Sequence, residues 1–257
     1  MNIDTGIAGA AEAPKVKERI VSFVWQHVWL LVSLFVMTLG VAVCVRSNFG
    51  SSVISSIPYA MTLAGAAGKA PALTIGEYTN IMNVVLVVLQ IAILGRCFER
   101  VQLFQLLIGF VFGSLLDVNM WLTSGLDCSG LWTKAAAQLA GCLILGFGIA
   151  MEIRCGSVTM PGEGLPASVS RRAGVPFAKV KICVDVALVA IAVVAGYAFF
   201  GRWLGEVVGP GTLFAMIFVG YVVKLMAPRM GWFDRLLYYR PGFRRYLYGL
   251  ARYIRRG

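Results

Sequence analysis

Leu39-Gly40-Val41-Ala42-Val43-Cys44-Val45-Arg46 returns as Phe147-Gly148-Ile149-Ala150-Met151-Glu152-Ile153-Arg154, at an offset of 108 residues. Gly40/Gly148, Ala42/Ala150 and Arg46/Arg154 are identical, and Pro58/Pro166 repeats at the same offset. Each copy reads as an apolar helix end, a basic residue, and a Ser- or Gly-rich segment that leads to the proline. A duplicated unit of this length sets an architecture before any chemistry is considered. It says little about substrate.

Working outward, the chain is 59% hydrophobic and 14% charged over 257 residues, with a mean hydropathy of +0.79. Such a chain has too little polar surface to cover itself in water, and its apolar runs of about 20 residues are the length of membrane spans. The net charge of +11 is then read by position, as cytoplasmic anchoring beside anionic lipid. Nucleic acid is not an expected partner. Six cysteines show no CxxC pair and share the chain with a single histidine, His27, so no metal site or cofactor is expected. Most lie in or beside apolar segments, where a free thiol behaves as a small hydrophobe; a Cys44–Cys128 bridge is not expected. The N-terminal region is polar and the first apolar run is long enough to span, unlike a cleavable signal peptide.

Four units are expected: a cytoplasmic arm over 1–20, membrane repeats over 21–122 and 133–227, and a basic tail over 228–257. Spans are read at about Ser22–Val45, Thr74–Leu94, Val101–Leu122, Lys134–Met151, Phe177–Phe200 and Val208–Met226. Between the first two lies Ser51-Ser52-Val53-Ile54-Ser55-Ser56-Ile57-Pro58, whose hydroxyls suit a helix cap and whose proline suits a first turn. Its counterpart runs from Gly156 to Gly174 and contains Met160-Pro161-Gly162-Glu163-Gly164-Leu165-Pro166. Both are read as short re-entrant or interfacial helices, against the alternative of a surface loop bearing an amphipathic helix.

With the N-terminus inside, Arg46, Lys69, Lys134 and Arg202 fall outside, and the other Lys and Arg residues of the 23 fall inside. That bias predicts both termini in the cytoplasm and, for a bacterial chain, the inner membrane. Trp25 and Trp232 sit at the expected inner belt, and Trp121, Trp132 and Trp203 at the outer. Three spans per copy make the second copy enter upside down, the inverted repeat of many transporters. The fold class expected is therefore all-α and polytopic: six spans in two inverted three-helix repeats. In the tail, Arg235, Arg240, Arg244, Arg245, Arg252, Arg255 and Arg256 interleave with Leu and Tyr, a composition suited to an amphipathic segment on anionic lipid.

No Walker loop, GxGxxG, GxSxG or HExxH is present, and no catalytic residue is assigned. Polar groups within spans are costly and so become the candidates. Asn80 and Asn83 lie in the second span. Asp185 aligns with Asn83 in the fifth, and the inverted symmetry would bring those two helices together. Asp185 is read as a coupling or binding site, with a structural pair to Lys181, one turn earlier, as the alternative. Asp117 aligns with Lys224 but sits near the opposite face; Arg46 and Arg154 are read as interfacial anchors. If the two short helices begin inside the bilayer, their positive ends form an anion-friendly centre lined by Ser55, Ser56, Pro58, Gly162, Glu163, Gly164 and Pro166. Glu163 complicates that centre: ionised it fills the positive site itself, and protonated it serves as a gate.

The order of span, basic residue, Gly/Ser segment with proline and paired three-span repeats, together with Gly209-Pro210-Gly211-Thr212 before the last span, resembles the bacterial YczE/YyaS/YitT-like membrane proteins over roughly residues 30–227. The first copy departs from it, with Val101-Gln102-Leu103-Phe104-Gln105 where the second has the Gly-Thr start. The resemblance implies an integral membrane protein and supplies no activity and no residue role. The expectation is a transporter or channel for a small polar solute, anions included, working at the repeat interface, with the bilayer as partner and a homodimer as one assembly. The alternatives are a scaffold of a biosynthetic or secretory complex and, behind it, a lipid-modifying enzyme using the intramembrane carboxylates.

Overall fold

The computed structural model describes residues 16–237 apart from Ser157 and Thr159. The elements are α1 (Val16–Arg46), α2 (Ser56–Ala66), α3 (Ile75–Leu94), α4 (Phe104–Leu122), α5 (Leu131–Cys155), α6 (Pro161–Ala173), α7 (Phe177–Phe200), α8 (Pro210–Met226) and α9 (Gly231–Leu237), with short 3-10 turns between some of them. No strand occurs among the described residues. Five helices (within α1, α3, α4, α5 and α7) are long and apolar enough to cross a bilayer. With α9, to which it is joined at a bend of 72°, α8 brings the number to six. The fold is an all-helical, polytopic membrane architecture.

At the centre, α1 and α5 run antiparallel. Gly40 backs onto the main chain of Leu145 and Gly141, Gly148 onto Met37, and Gly141 onto Cys44; Ser47 Oγ donates to Gln138 Oε1 at 2.8 Å. Lipid tails are as apolar as leucine, so helices in a bilayer gain by close packing rather than by escaping water. Glycines at the crossing permit that approach. The helix α4 lines the other side of α1, where Asn119 Nδ2 donates to Thr38 Oγ1 at 2.8 Å. Similarly α8 lines α5, with Val222 against Gly146 and Gln138 Nε2 donating to the Gly211 carbonyl at 3.0 Å.

Four further helices, α2, α3, α6 and α7, form a second layer. α3 packs on α4 and α6, α7 packs on α2 and α6, and α2 also touches α3. Thus α2 and α6 both stand between α3 and α7. The helices of Asn83 and Asp185, expected to meet, are instead joined through these two short elements, which occupy the space between them. The pair α7–α8 has no contact comparable to α3–α4.

Local sequence explains the element ends. Thr74 caps α3 with a reciprocal bond to Glu77, the capping box of a Thr-x-x-Glu start. Gly174 and Gly201 end α6 and α7 in the left-handed conformation, which glycine adopts without strain. The helix α1 begins at Val16. The start of the tail docks on the protein: Phe233 and Leu237 of α9 are buried in the α1–α5 core. Arg235 is exposed on α9, while Arg240, Arg244, Arg245, Arg252, Arg255 and Arg256 lie outside the described residues. None of the six cysteines is in a disulfide among the described residues; Cys44 faces Cys142 at 4.0 Å rather than Cys128.

Candidate functional site

The two prolines decide how each short helix begins. A proline cannot donate to the carbonyl four residues before it, so Pro58 leaves Ile54 without its helical donor, and Pro166 does the same to Gly162. In the first copy the consequence is a 3-10 turn over Val53–Ser55 that gives way to α2 only at Ser56. In the second, Pro161 takes the first helical position and Pro166 stands inside α6. The fixed φ of proline suits the first turn, whereas an interior proline weakens the ladder.

These two beginnings meet. A Cβ on Gly162 would overlap Ile54 Cδ1, so the Ile54 side chain rests on the bare Gly162 backbone. Ile54 and Ile57 pack with Met82 and Leu86 of α3, Leu165 of α6 and Val184 of α7. Met82 and Leu86 lie near the middle of α3, which spans 20 residues. The junction therefore lies level with the midpoint of a spanning helix.

Charge collects on the α6 side. Lys181 Nζ lies 2.7 Å from Asp185 Oδ1 and 3.4 Å from Glu163 Oε1, which binds Asp185 of α7 to the first turn of α6 through one lysine. Glu152, at 4% exposure, accepts the Met160 backbone N–H at 3.2 Å. Three carboxylates and one ammonium thus surround the start of α6. An acidic group at a helix N-terminus neutralises its positive end, and Glu163 in the first turn of α6 is placed to do so. The pair of Asp185 with Lys181 forms as the structural alternative had it, and Glu163 makes it a triad.

On the other flank of α6 stand two glutamines. Gln90 of α3 donates from Nε2 to the Pro161 carbonyl at 3.3 Å, and Gln105 of α4 lies across Gly164 from it. Both are buried, at 0% and 3% exposure, and both Oε1 atoms have no hydrogen-bond partner.

The other anticipated residues divide between the junction and the scaffold. Ser55 and Ser56 are buried beside Ile54, with Ser55 Oγ bonded to Ser52 Oγ at 2.6 Å and Ser56 Oγ donating to the Val53 carbonyl at 2.7 Å; Pro58 is buried in the first turn of α2. Gly162, Gly164 and Pro166 line the buried start of α6. Asn80 sits against Gly113, and Asn83 Nδ2 donates to the Gly109 carbonyl at 3.3 Å, so both join α3 to α4. Asp117 accepts from Thr74 Oγ1 at 2.7 Å and from the Gly76 N–H at 2.8 Å, and so holds the start of α3. Arg46 donates to the Met120 carbonyl at 2.9 Å, and Arg154 pairs with Asp234; both anchor helix ends to a neighbour. Sequence reading missed Gln90, Gln105 and Gln138. The available signal was the same as for Asn83, a polar residue inside an apolar run.

No curated protein and no solved structure matches the chain. Nothing in the family match connects the chain by name with the YczE/YyaS/YitT-like proteins. Residues 24–228, most of the chain, match the family of unknown function DUF6198, and the protein belongs to that family.

Proposed function

We propose that this protein is a transporter for a small polar solute, built from two inverted three-span repeats and working at the junction of its two half-helices. The observation that carries the reading is the contact of Ile54 with Gly162. These positions are 108 residues apart, the offset of the repeated octapeptide, so the contact is its own equivalent under the repeat. The central crossing obeys the same operation: shifting Met37–Gly148 by 108 yields Leu145–Gly40, which is also in contact. Both relations are those of a two-fold axis lying in the membrane plane and passing through the α1–α5 crossing and the half-helix junction. Broken helices that meet on such an axis are the binding element of many secondary transporters, and alternating access is the rocking of one repeat against the other. The lysine-bridged carboxylates beside the junction supply the charge whose pairing would change with coupling-ion or solute binding. The charge bias of the loops supports cytoplasmic termini in a bacterial inner membrane.

Purified protein in liposomes tests the reading, with uptake measured over a panel of small cations, anions, amino acids and neutral metabolites. Uptake of at least one solute is expected, abolished by Glu163→Gln or Asp185→Asn in protein that still inserts and melts cooperatively. No uptake across the panel, together with stable recovery of a partner protein from the native membrane, would replace transport with the scaffold reading.

A further inference from the structure

We infer that the half-helix junction recognises solutes through a hydrogen-bond-donating cationic group, a primary ammonium above all, and that Gln90 and Gln105 form the clamp that selects it. The inference rests on the transport reading for its site and reverses the anionic preference that paired helix starts suggest on their own.

The argument is a count of donors and acceptors. Gln90 Nε2 faces the Pro161 carbonyl, which can only accept, so the amide orientation is fixed and Oε1 is the atom left free. Gln105 Oε1 is likewise unpartnered. A Cβ on Gly164 would lie 2.7 Å from Gln90 Oε1 and would overlap Gln105 Oε1, so both oxygens converge on one glycine face. A buried acceptor left unmatched costs about 1–3 kcal/mol, and two at one place point to a donor that arrives from elsewhere. Glycine at 164 is what lets both amides sit this close to the α6 backbone.

The surroundings have the same sign. Pro58 and Pro166 withhold donors from the Ile54 and Gly162 carbonyls, the two residues in contact at the junction. Glu163 offsets the positive helix end, and the Glu163–Lys181–Asp185 cluster carries one more carboxyl group than cation. An anion entering here would meet carbonyl and carboxylate oxygens; an ammonium, with three donors and no acceptor, would match them. Above the clamp, Asn80 Oδ1 and Asn83 Oδ1 are also unpartnered along the α3–α4 seam. They extend the acceptor-lined face from Gln90 back to Asn80, about 15 Å at the helical rise of 1.5 Å per residue.

The test is binding to the purified protein in detergent, read as thermal stabilisation at constant ionic strength. The probes are methylammonium, ethanolamine, acetamide, nitrate and formate, with phosphatidylethanolamine added to the micelles as a separate arm. Methylammonium or ethanolamine should raise the melting temperature and the two anions should not; an effect of phosphatidylethanolamine alone would assign the same ammonium recognition to a lipid headgroup. Gln90→Met and Gln105→Met should each weaken ammonium binding by about tenfold, the equivalent of one hydrogen bond to a charged group. Gln105→Glu, which adds charge without removing the acceptor, should tighten it. Stabilisation by nitrate or formate instead, indifference to every probe, or ammonium binding unaltered in all three variants overturns the inference. Anion uptake by liposomes that is insensitive to the glutamine variants would overturn the clamp and leave transport standing. Ammonium binding without uptake of any solute would do the converse.

Discussion

Replacing Gly40 with alanine adds one methyl group at the tightest point of the α1–α5 crossing. That methyl would lie 2.7 Å from Leu145 Cα and 2.8 Å from the Gly141 oxygen, and closer still to Leu145 N. All three atoms belong to the main chain, so no side-chain rotation relieves the overlap. Reaching an ordinary contact of 3.4 Å or more requires the two helices to part by roughly 0.5–1 Å, which forfeits about a quarter to a half of each van der Waals contact along the seam. Overpacking of this kind costs about 1–3 kcal/mol, against which alanine recovers about 1 kcal/mol of helix propensity. The net expectation is a loss of up to about 2 kcal/mol, or a fall in melting temperature of up to about 8 °C for a chain of this size. Gly148→Ala, which meets the Met37 backbone N at 2.7 Å, should fall by a similar amount. Gly220→Ala meets nothing within 4 Å and should melt at the same temperature or slightly higher. A fluorogenic thiol dye supplies the assay, because Cys44, Cys128, Cys142 and Cys155 are buried while Cys97 and Cys183 are exposed and set the baseline. If Gly40→Ala melted above the parent protein, the close crossing and the two-fold relation drawn from it would both be wrong.

Asp117→Ala removes the acceptor for Thr74 Oγ1 and the Gly76 N–H and should lower stability by about 1 kcal/mol, as loss of a helix cap does. Hydrogen exchange over residues 74–78 should accelerate, and unchanged exchange there would show that the carboxylate does not hold the start of α3. Arg154→Asp should destabilise by up to about 1 kcal/mol, since the pair with Asp234 is only partly buried, at 23% and 28% side-chain exposure. The double variant with Asp234→Arg should recover at least half of the lost melting temperature, and a purely additive double variant would refute direct pairing.

The all-helical, membrane-spanning class was legible because span length and hydropathy are properties of the sequence that tertiary contacts rarely override. Repetition of Gly40 at Gly148 carried the further information that two helices approach closely, although its offset alone does not say that they touch each other. The limits of the reading are equally physical. Hydropathy treats Gln90, within an apolar run, as a single unfavourable residue and cannot tell which neighbour it faces; only the insertion of α6 between α3 and α7 places it beside Gly164. Likewise Asp117 looked like an intramembrane acid, but its partners are a hydroxyl and an N–H on another helix, and no spacing rule reveals that. The expected encounter of Asn83 with Asp185 failed because pairing was judged from aligned depth, without allowing for the width of two short helices between the long ones. Lys181, by contrast, stood one turn from Asp185 on the same face, and local helix geometry sufficed.

The seating of α2 has a consequence for how the protein is made. This helix packs against α7 and α3, yet α7 is synthesised only after α4, α5 and α6. During that interval Ser51, whose N–H and Oγ both donate to the Val207 carbonyl in the finished protein, lacks its partner at bilayer depth. Unsatisfied polar groups are expensive in hydrocarbon, so the nascent segment would rest at the water boundary and enter sideways once its partner helix arrives. The first three spans therefore cannot complete the seat of α2 by themselves, and its packing waits on a helix from the second three.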